Sequence, residues 1–553
     1  MRGSYGLAFC ILACGARSSL DGFASPDAGN GSSDGGIVID APADALADAP
    51  LTVNVAAPRP VAPLSTSTTT TQRPTFRWVL PSGATGARVE VCADRPCSTL
   101  ETTFDGLGDS GSPPNPLTAG LHFYRLRALV GALAGSAVSP TWEITVPRRS
   151  TLRDTSWSTF PDFNGDGYAD VMIASTQVVA SNMTIFPGAA SGVDNNARSS
   201  ILAALSFVTA LASAGDVDGD GYADLVVGAD DDVVYLYRGG PQGVGATPFA
   251  TIHAPLSTAQ EVFGLAVTSA GDVNGDGYAD ILVSAPSGGP LPDGHAYIYF
   301  GGANGPATSP SITLDGNKGG AGGGCGEAGD VDGDGYADVT VLDYPGVDEG
   351  GNALIRLRLF RGGPAGPSNA SVVTLDLRSV AGGAVVPISP IPGDIDGDGL
   401  ADLVELFDLP GSQTGTVAVY YGSPSLSSVA AELTIPTIGT GASFAGDVNG
   451  DGYDDLLVGV PGVGSGPMLF WGSATGINAA ASLAFDVGTT DDYGFGFAVA
   501  NAGDVNGDGF QDVIVTEGDG ARIHVFTGDD SGLASAPVLL ATTDGTWFSP
   551  AIR

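Results

Sequence analysis

Aspartate recurs at positions 1, 5 and 9 of a nine-residue pattern, D-x-(D/N)-G-D-G-x-x-D, which occurs seven times in this chain of 553 residues. The first three copies offer the side chains Asp162, Asn164, Asp166 and Asp170; Asp216, Asp218, Asp220 and Asp224; and Asp272, Asn274, Asp276 and Asp280. The next two offer Asp330, Asp332, Asp334 and Asp338, then Asp394, Asp396, Asp398 and Asp402. The last two offer Asp447, Asn449, Asp451 and Asp455, then Asp504, Asn506, Asp508 and Asp512. Position 7 adds a backbone carbonyl, carried by Tyr168, Tyr222, Tyr278, Tyr336, Leu400, Tyr453 and Phe510. Hard oxygens on alternate residues of a tight loop, with a glycine at position 6 for the bend, form the donor set that a calcium ion takes. Seven calcium sites are expected, with the metal in a structural role.

Two other readings compete with this one. An EF-hand opens in the same way but closes with an acidic residue at position 12. Here position 12 is Ile173, Val227, Val283, Val341, Val458 or Val515, and it is acidic only at Glu405. An acidic β-turn without metal is built from the same residue types. Seven copies argue against it, because three or four carboxylates converging on one loop repel each other without a cation.

The loops begin 53 to 64 residues apart, so each belongs to a long repeat that must stack on its neighbours to bury a core. Each loop runs into a short β-branched stretch such as DLVVGA or DILVSA. A glycine-rich turn and an aromatic stretch ending in glycine follow, as in VYLYRGG from Val234, YIYFGG from Tyr297 and LFWGS from Leu469. A fourth apolar run leads to the next unit. Four strands per unit without helices predict the blades of a β-propeller. Upstream of three loops stands a phenylalanine, Phe207, Phe263 or Phe495, with FGLAV and FGFAV at the last two.

The succession FG…GDVNGDGYxDLLVGAP plus an aromatic strand resembles the FG-GAP repeat, the blade of the integrin α-subunit propeller, and is similar to bacterial calcium-binding propellers. The resemblance runs from about residue 151 to 553 and implies an all-β, seven-bladed ring with structural calcium. Integrin-like propellers bind their ligands on the face away from the calcium loops, so the contact residues would lie outside the motif. Ala321, Val385 and Ile438 replace the phenylalanine before loops 4, 5 and 6. FSPAI, from Phe548, matches the FG-type strand but precedes no loop. It is expected to complete the first blade and close the ring.

The N-terminal third reads differently. Residues 1–14 resemble an export signal ending in a bacterial lipobox, with Cys14 the residue that would carry lipid. Residues 15–50 are rich in Ser, Gly, Asp, Ala and Pro, the composition of a disordered tether. Residues 51–149 resemble a fibronectin type III or immunoglobulin-like β-sandwich with Trp78 in its core, and residues 150–553 form the propeller. Cys92 and Cys97 flank a turn and are expected to form a disulfide in an oxidising compartment. The expected location is the outer membrane or cell surface as a lipoprotein, otherwise the medium. The only membrane contact expected is that anchor.

Net charge is −40, and 24 of the acidic groups are loop aspartates. That balance disfavours nucleic acid as a partner. Catalytic motifs are weak. GDSG from Gly108 lies in an expected loop of a module too small for a double-barrel protease, and GSSDG from Gly31 lies in the tether. The four histidines stand apart, and the patterned carboxylates are committed to metal. The expected function is a monomeric surface module that binds a protein or a polysaccharide. A carbohydrate-active enzyme on the same scaffold and a purely structural surface protein are the alternatives.

Overall fold

A computed structural model of the chain describes residues 54–150 and the greater part of 161–540, with the short strands Phe9–Cys10, Ser156–Trp157 and Ala551–Ile552. Every regular element among these residues is a β-strand. Cys14, residues 15–50, Phe207, Ala321, Val385, Ile438 and Phe548 lie outside the described residues.

Beyond residue 161, sheets follow one another in chain order, each an antiparallel meander. The first has three strands, Val171–Ser175, Asn182–Phe186 and Ser199–Leu202. The second has four, Val208–Gly215, Asp224–Ala229, Val233–Tyr237 and Ala250–His253, and five more four-stranded sheets repeat that plan. In sheets 2 to 7 the nonapeptide loop joins the first strand to the second, and in sheet 1 it leads into Val171–Ser175. Burial explains the sequence of each strand. The second strands, such as Asp224–Ala229 and Asp280–Ala285, are buried at every residue because neighbouring sheets cover both faces. The outermost strands, such as Ala431–Ile435, have buried and exposed positions interleaved.

Apolar clusters bridge adjacent sheets. One joins Ala212, Val226 and Leu236 of the second sheet to Phe263, Ile281 and Tyr299 of the third. Another joins Ile173 and Ile185 of the first sheet to Leu225 of the second and to Ile514 and Val525 of the seventh. First and last sheets therefore share a core, and the array closes into a ring. Phe263 and Phe495, the two described FG residues, are almost fully buried in it.

Of the expected closing strand, Ala551–Ile552 is described and residues 548–550 lie outside the described residues. Ala551–Ile552 lies beside the first strand of sheet 1, but its ladder is a parallel pairing with Phe9–Cys10. It forms no rung with Val171–Ser175, whose partner is Asn182–Phe186. The ring is also joined through its loops, as described below.

Residues 59–146 form two further sheets. The three-stranded one contains Arg59–Ala62, Phe76–Val79 and Ser110–Gly111. The seven-stranded one contains Ser67–Thr69, Gly86–Cys92, Leu100–Leu107, Gly120–Val130, Leu133–Ala134 and Trp142–Val146. It also takes in Ser156–Trp157, paired with Thr68–Thr69, so this sheet continues past residue 149. Phe76, Trp78, Tyr124, Leu126, Trp142 and Ile144 fill the space between the two sheets. The Tyr124 hydroxyl donates to the Pro63 carbonyl at 2.8 Å, which satisfies its buried polar end.

Candidate metal centres

Each loop is held by its first aspartate. In loop 2, Oδ1 of Asp216 accepts the backbone N–H groups of Gly219 (2.7 Å) and Asp220 (3.0 Å), and Oδ2 accepts that of Gly221 (2.9 Å). Asp162, Asp272, Asp330 and Asp504 bind the same three donors of their own loops. This wrapping needs left-handed backbone at positions 4 and 6, and both are glycine with positive φ in all seven loops, for example 77° at Gly219 and 91° at Gly221. The sequence reading gave the bend to position 6 alone; position 4 shares it.

The ninth residue does more than face an ion. Oδ2 of Asp280 accepts the N–H of Val273 at 3.1 Å, and Oδ1 accepts that of Gly301 at 2.9 Å. All seven ninth-position aspartates tie the loop's second residue to the glycine that ends the aromatic strand. That explains the terminal glycine of YFGG, WGS and FTG. A Cβ at Gly301 would stand 2.3 Å from the Ala279 carbonyl oxygen.

In loops 2, 4 and 5, carboxylate oxygens from positions 1, 3 and 9 lie within 4.8 Å of one another: Asp216, Asp218 and Asp224; Asp330, Asp332 and Asp338; Asp394, Asp396 and Asp402. These are the loops with aspartate at position 3. In the other four, Asn164, Asn274, Asn449 and Asn506 donate their amide N–H to the carboxylate at position 5. Asp220 and its equivalents stand outside the three-carboxylate groups, and Oδ1 of Asp220 accepts the N–H of Tyr222.

Burial and mutual repulsion make these carboxyls hold protons. Burial, followed by the charge of Asp162, pushes Asp170 up to about 8. Burial carries Asp224 up to about 8 and Asp272 up to about 7, and raises Asp280, Asp338 and Asp402 well above the usual range. Converging oxygens that resist ionisation fit a hard divalent cation, which supplies the missing positive charge. Calcium would be held by the side-chain oxygens of positions 1, 3, 5 and 9 and the carbonyl of position 7. It would neutralise the loop and fix its conformation.

The loops are also linked to each other. The N–H at position 8 of each loop donates to the carbonyl of position 1 in the preceding loop: Ala223 to Asp162, Ala279 to Asp216, Ala337 to Asp272, Ala401 to Asp330, Asp454 to Asp394 and Gln511 to Asp447. Ala169 completes the circle by donating to Asp504 at 3.1 Å. Position-7 rings reinforce these links. Tyr222, Tyr278, Tyr336 and Phe510 lie on the fourth-position glycines Gly165, Gly219, Gly275 and Gly450, and Tyr168 lies on Gly507 across the closure.

The N-terminal sandwich sits on this loop face. Arg59 lies over Tyr336, Arg95 over Tyr278, Arg148 over Tyr168 and Arg149 over Phe510, at 4.1 to 4.8 Å from the ring centres. Arg59, Arg148 and Arg95 donate to loop carbonyls, of Asp334 (2.7 Å), Asp166 (3.1 Å) and Gly219 (3.2 Å). Arg95 also bonds the Gly277 carbonyl, and its second amino group reaches Glu143 (2.6 Å) and Asp216 (3.2 Å). Trp142 Nε1 donates to the Gly275 carbonyl at 3.3 Å. A cavity of about 550 Å³ remains under this roof, with Thr68, Glu143, Asp162, Asp216 and Asp504 in its wall.

Sequence reading missed these arginines. They lie at strand ends and turns of one module, and nothing in their spacing names the loops of another. It also missed the glycine before five of the loops. Gly215, Gly271, Gly329, Gly446 and Gly503 have φ of 68° to 74° and coincide with a shift of ladder register that turns the chain into its loop. The recurring AGD triplet was its signal.

Other sequence features resolve simply. Cys92 and Cys97 are joined as a disulfide, and Cys325 is buried. Ser110–Gly111 of the GDSG segment is a short strand paired with Phe76–Arg77, where a loop was expected. His122 bonds Glu101 and the Thr118 carbonyl, and His524 bonds Glu517. No histidine belongs to a metal-type cluster among the described residues.

Residues 162–227, 216–283, 272–341 and 394–458 match the FG-GAP-like repeat. Integrin alpha-6 of Gallus gallus is 39% identical over 141 residues, 23% of this chain and 12% of that protein. Integrin alpha-PS2 of Drosophila melanogaster is 41% identical over 110 residues, 17% of this chain and 8% of that one. Integrin alpha-IIb of Mus musculus is 36% identical over 145 residues, 23% and 14%. The chain thus spans less than a sixth of the length of these relatives. A solved structure described as "Structure of Dos1 propeller" aligns with 68% of this chain and 87% of its own at 11% identity and a TM-score of 0.33, too distant a likeness to carry weight. Its described residues are all-β, and residues 162–341 and 394–458 carry FG-GAP-like repeats similar to those of integrin α-subunits.

Proposed function

We propose that this protein is an exported, calcium-dependent binding module that holds a protein or a polysaccharide on a rigid propeller and carries out no catalysis of its own. The observation that carries this reading is the oxygen-lined loop repeated seven times and locked into a ring, in a chain related to integrin α-subunits. Calcium in the loops stiffens the ring, and the ligand occupies the opposite face, since the sandwich covers this one. Export through residues 1–14, with Cys14 as a lipid anchor, and a monomeric state belong to the same proposal.

Calcium should raise thermal stability. A site held at a hundred times its Kd contributes about 2.7 kcal/mol by mass action. Melting in calcium and in chelator tests this, and identical melts would remove calcium from the account. The partner is tested by exposing the immobilised protein to cell-surface proteins and polysaccharides in calcium, then eluting with chelator. Intact partner in the eluate supports the binding reading. Shortened polysaccharide would replace it with an enzyme. Nothing retained by a calcium-loaded ring would leave a structural protein.

A further inference from the structure

We propose that the joint between the N-terminal sandwich and the propeller is set by calcium: the sandwich docks on loaded loops and is released when they empty. This rests on the calcium reading above. Three observations on the sandwich and the loops carry it.

The first is where the arginines bind. Arg59, Arg95 and Arg148 donate to backbone carbonyls at positions 4, 5 and 6, and all four arginines lie against position-7 rings. Those groups are in place only when the loop is wrapped. The position-7 residue is the one whose carbonyl would face a bound ion, so its ring carries the state of the loop to the arginine above it. Lysine and arginine number 21 against 61 acidic residues, so four cations gathered at one face are a specific feature of it.

The second is the closeness of approach at position 6. A Cβ at Gly277 would stand 2.3 Å from the Thr141 carbonyl oxygen, and one at Gly335 would stand 2.8 Å from Val61 Cα. At Gly509 it would meet Arg149 Cβ at 2.4 Å, and at Gly221 it would meet Leu121 at 2.9 Å. The sandwich is fitted to the bend itself, and a loop that relaxes at position 6 no longer matches it.

The third is that the contacts span the ring. Arg148 and Arg149 engage loops 1 and 7, Arg95 engages loops 2 and 3, and Arg59 engages loop 4. One rigid body docked on five loops registers their joint state. By reciprocity, a docked sandwich raises the calcium affinity of the loops it touches.

The test uses the full chain, with small-angle scattering and amide exchange in calcium and in chelator below the melting temperature. Chelation should lengthen the particle and speed exchange at least tenfold in 93–97 and 141–149, while strands such as Asp280–Ala285 stay protected. The double variant Arg59→Ala/Arg149→Ala changes only sandwich side chains. It should show the same opening in calcium, with calcium affinity weakened severalfold. If calcium raises the melting temperature but particle length and exchange at the joint do not change, the joint proposal is overturned and the calcium reading stands. If calcium leaves the melt unchanged, both fall. Uniform exchange across sandwich, joint and blades in chelator would show general loosening and would also overturn it.

Discussion

Loops 2, 4 and 5 differ from loops 1, 3, 6 and 7 by one atom type at position 3, oxygen in place of an amide nitrogen. The hydrogen bonds of the ninth aspartate and the links between loops are the same in both classes. What changes is the handling of charge. Asparagine donates to the position-5 carboxylate and spares the loop one negative charge. Aspartate adds that charge, and in loops 2 and 4 an arginine at the end of the aromatic strand answers it. Arg238 pairs with Asp218, and Arg361 pairs with Asp332 at 3.2 Å. The lesson is a division of labour. Positions 1 and 9 tie the loop's backbone together, and position 3 sets how much charge converges with them on a cation.

The largest test of that division is Asp280→Ala. It strands the buried N–H of Val273 and the half-buried N–H of Gly301, at no more than about 1–3 kcal/mol for each orphaned donor. Calorimetry should show the loss in chelator as well as in calcium, where the missing ion ligand adds to it. A loss confined to calcium would make Asp280 an ion ligand and nothing more.

Next comes pH. The loops of both classes contain carboxyls raised in the folded chain: Asp162, Asp220, Asp334 and Asp504 to about 6, Asp272 to about 7, and Asp170 and Asp224 to about 8. Unfolded aspartate titrates near 3.9, so between that value and each folded one the native state binds more protons. In chelator, the melting temperature should therefore fall as pH rises from about 4 to about 8. In calcium the fall should be much smaller. A melting temperature in chelator that rises across this window would contradict the assigned burial.

A smaller effect is expected from Arg238→Ala. The arginine is half exposed, so its pair with Asp218 is worth little, and removing it should tighten loop 2 for calcium by no more than about fivefold. Calorimetric titration would show it, and weaker binding would mean that the arginine organises the loop. Smallest is removal of residues 544–553. The Ala169–Asp504 link and the shared core of sheets 1 and 7 do not pass through the tail. The truncated chain should keep its scattering profile, and an opened ring would return closure to the tail.

Much of this was legible in the sequence because the repeat is local. Aspartates four residues apart, paired glycines and β-branched flanks state a loop between strands, and seven copies state a ring. The reasons for several residues were not legible, because they lie in contacts between units. Tyr278 reads as a turn aromatic, yet it lies on Gly219 of the preceding loop with Arg95 on its other side. Asp280 reads as a ligand, yet both its oxygens hold backbone N–H groups. The link that joins sheets 1 and 7 was not legible either, because the Ala169–Asp504 bond joins residues 335 positions apart, whereas the match between FSPAI and FGLAV is visible along the chain.

The circle of bonds from position 8 to position 1 has no distinguished link. The bond across the gap between the chain ends is the same as the six between units that are continuous in sequence. Where the polypeptide starts is then a matter of covalent bookkeeping, and the order of blades around the axis would survive a change of starting point. Circularly permuted chains, opened between any two units and joined across the present gap, should fold to the same ring.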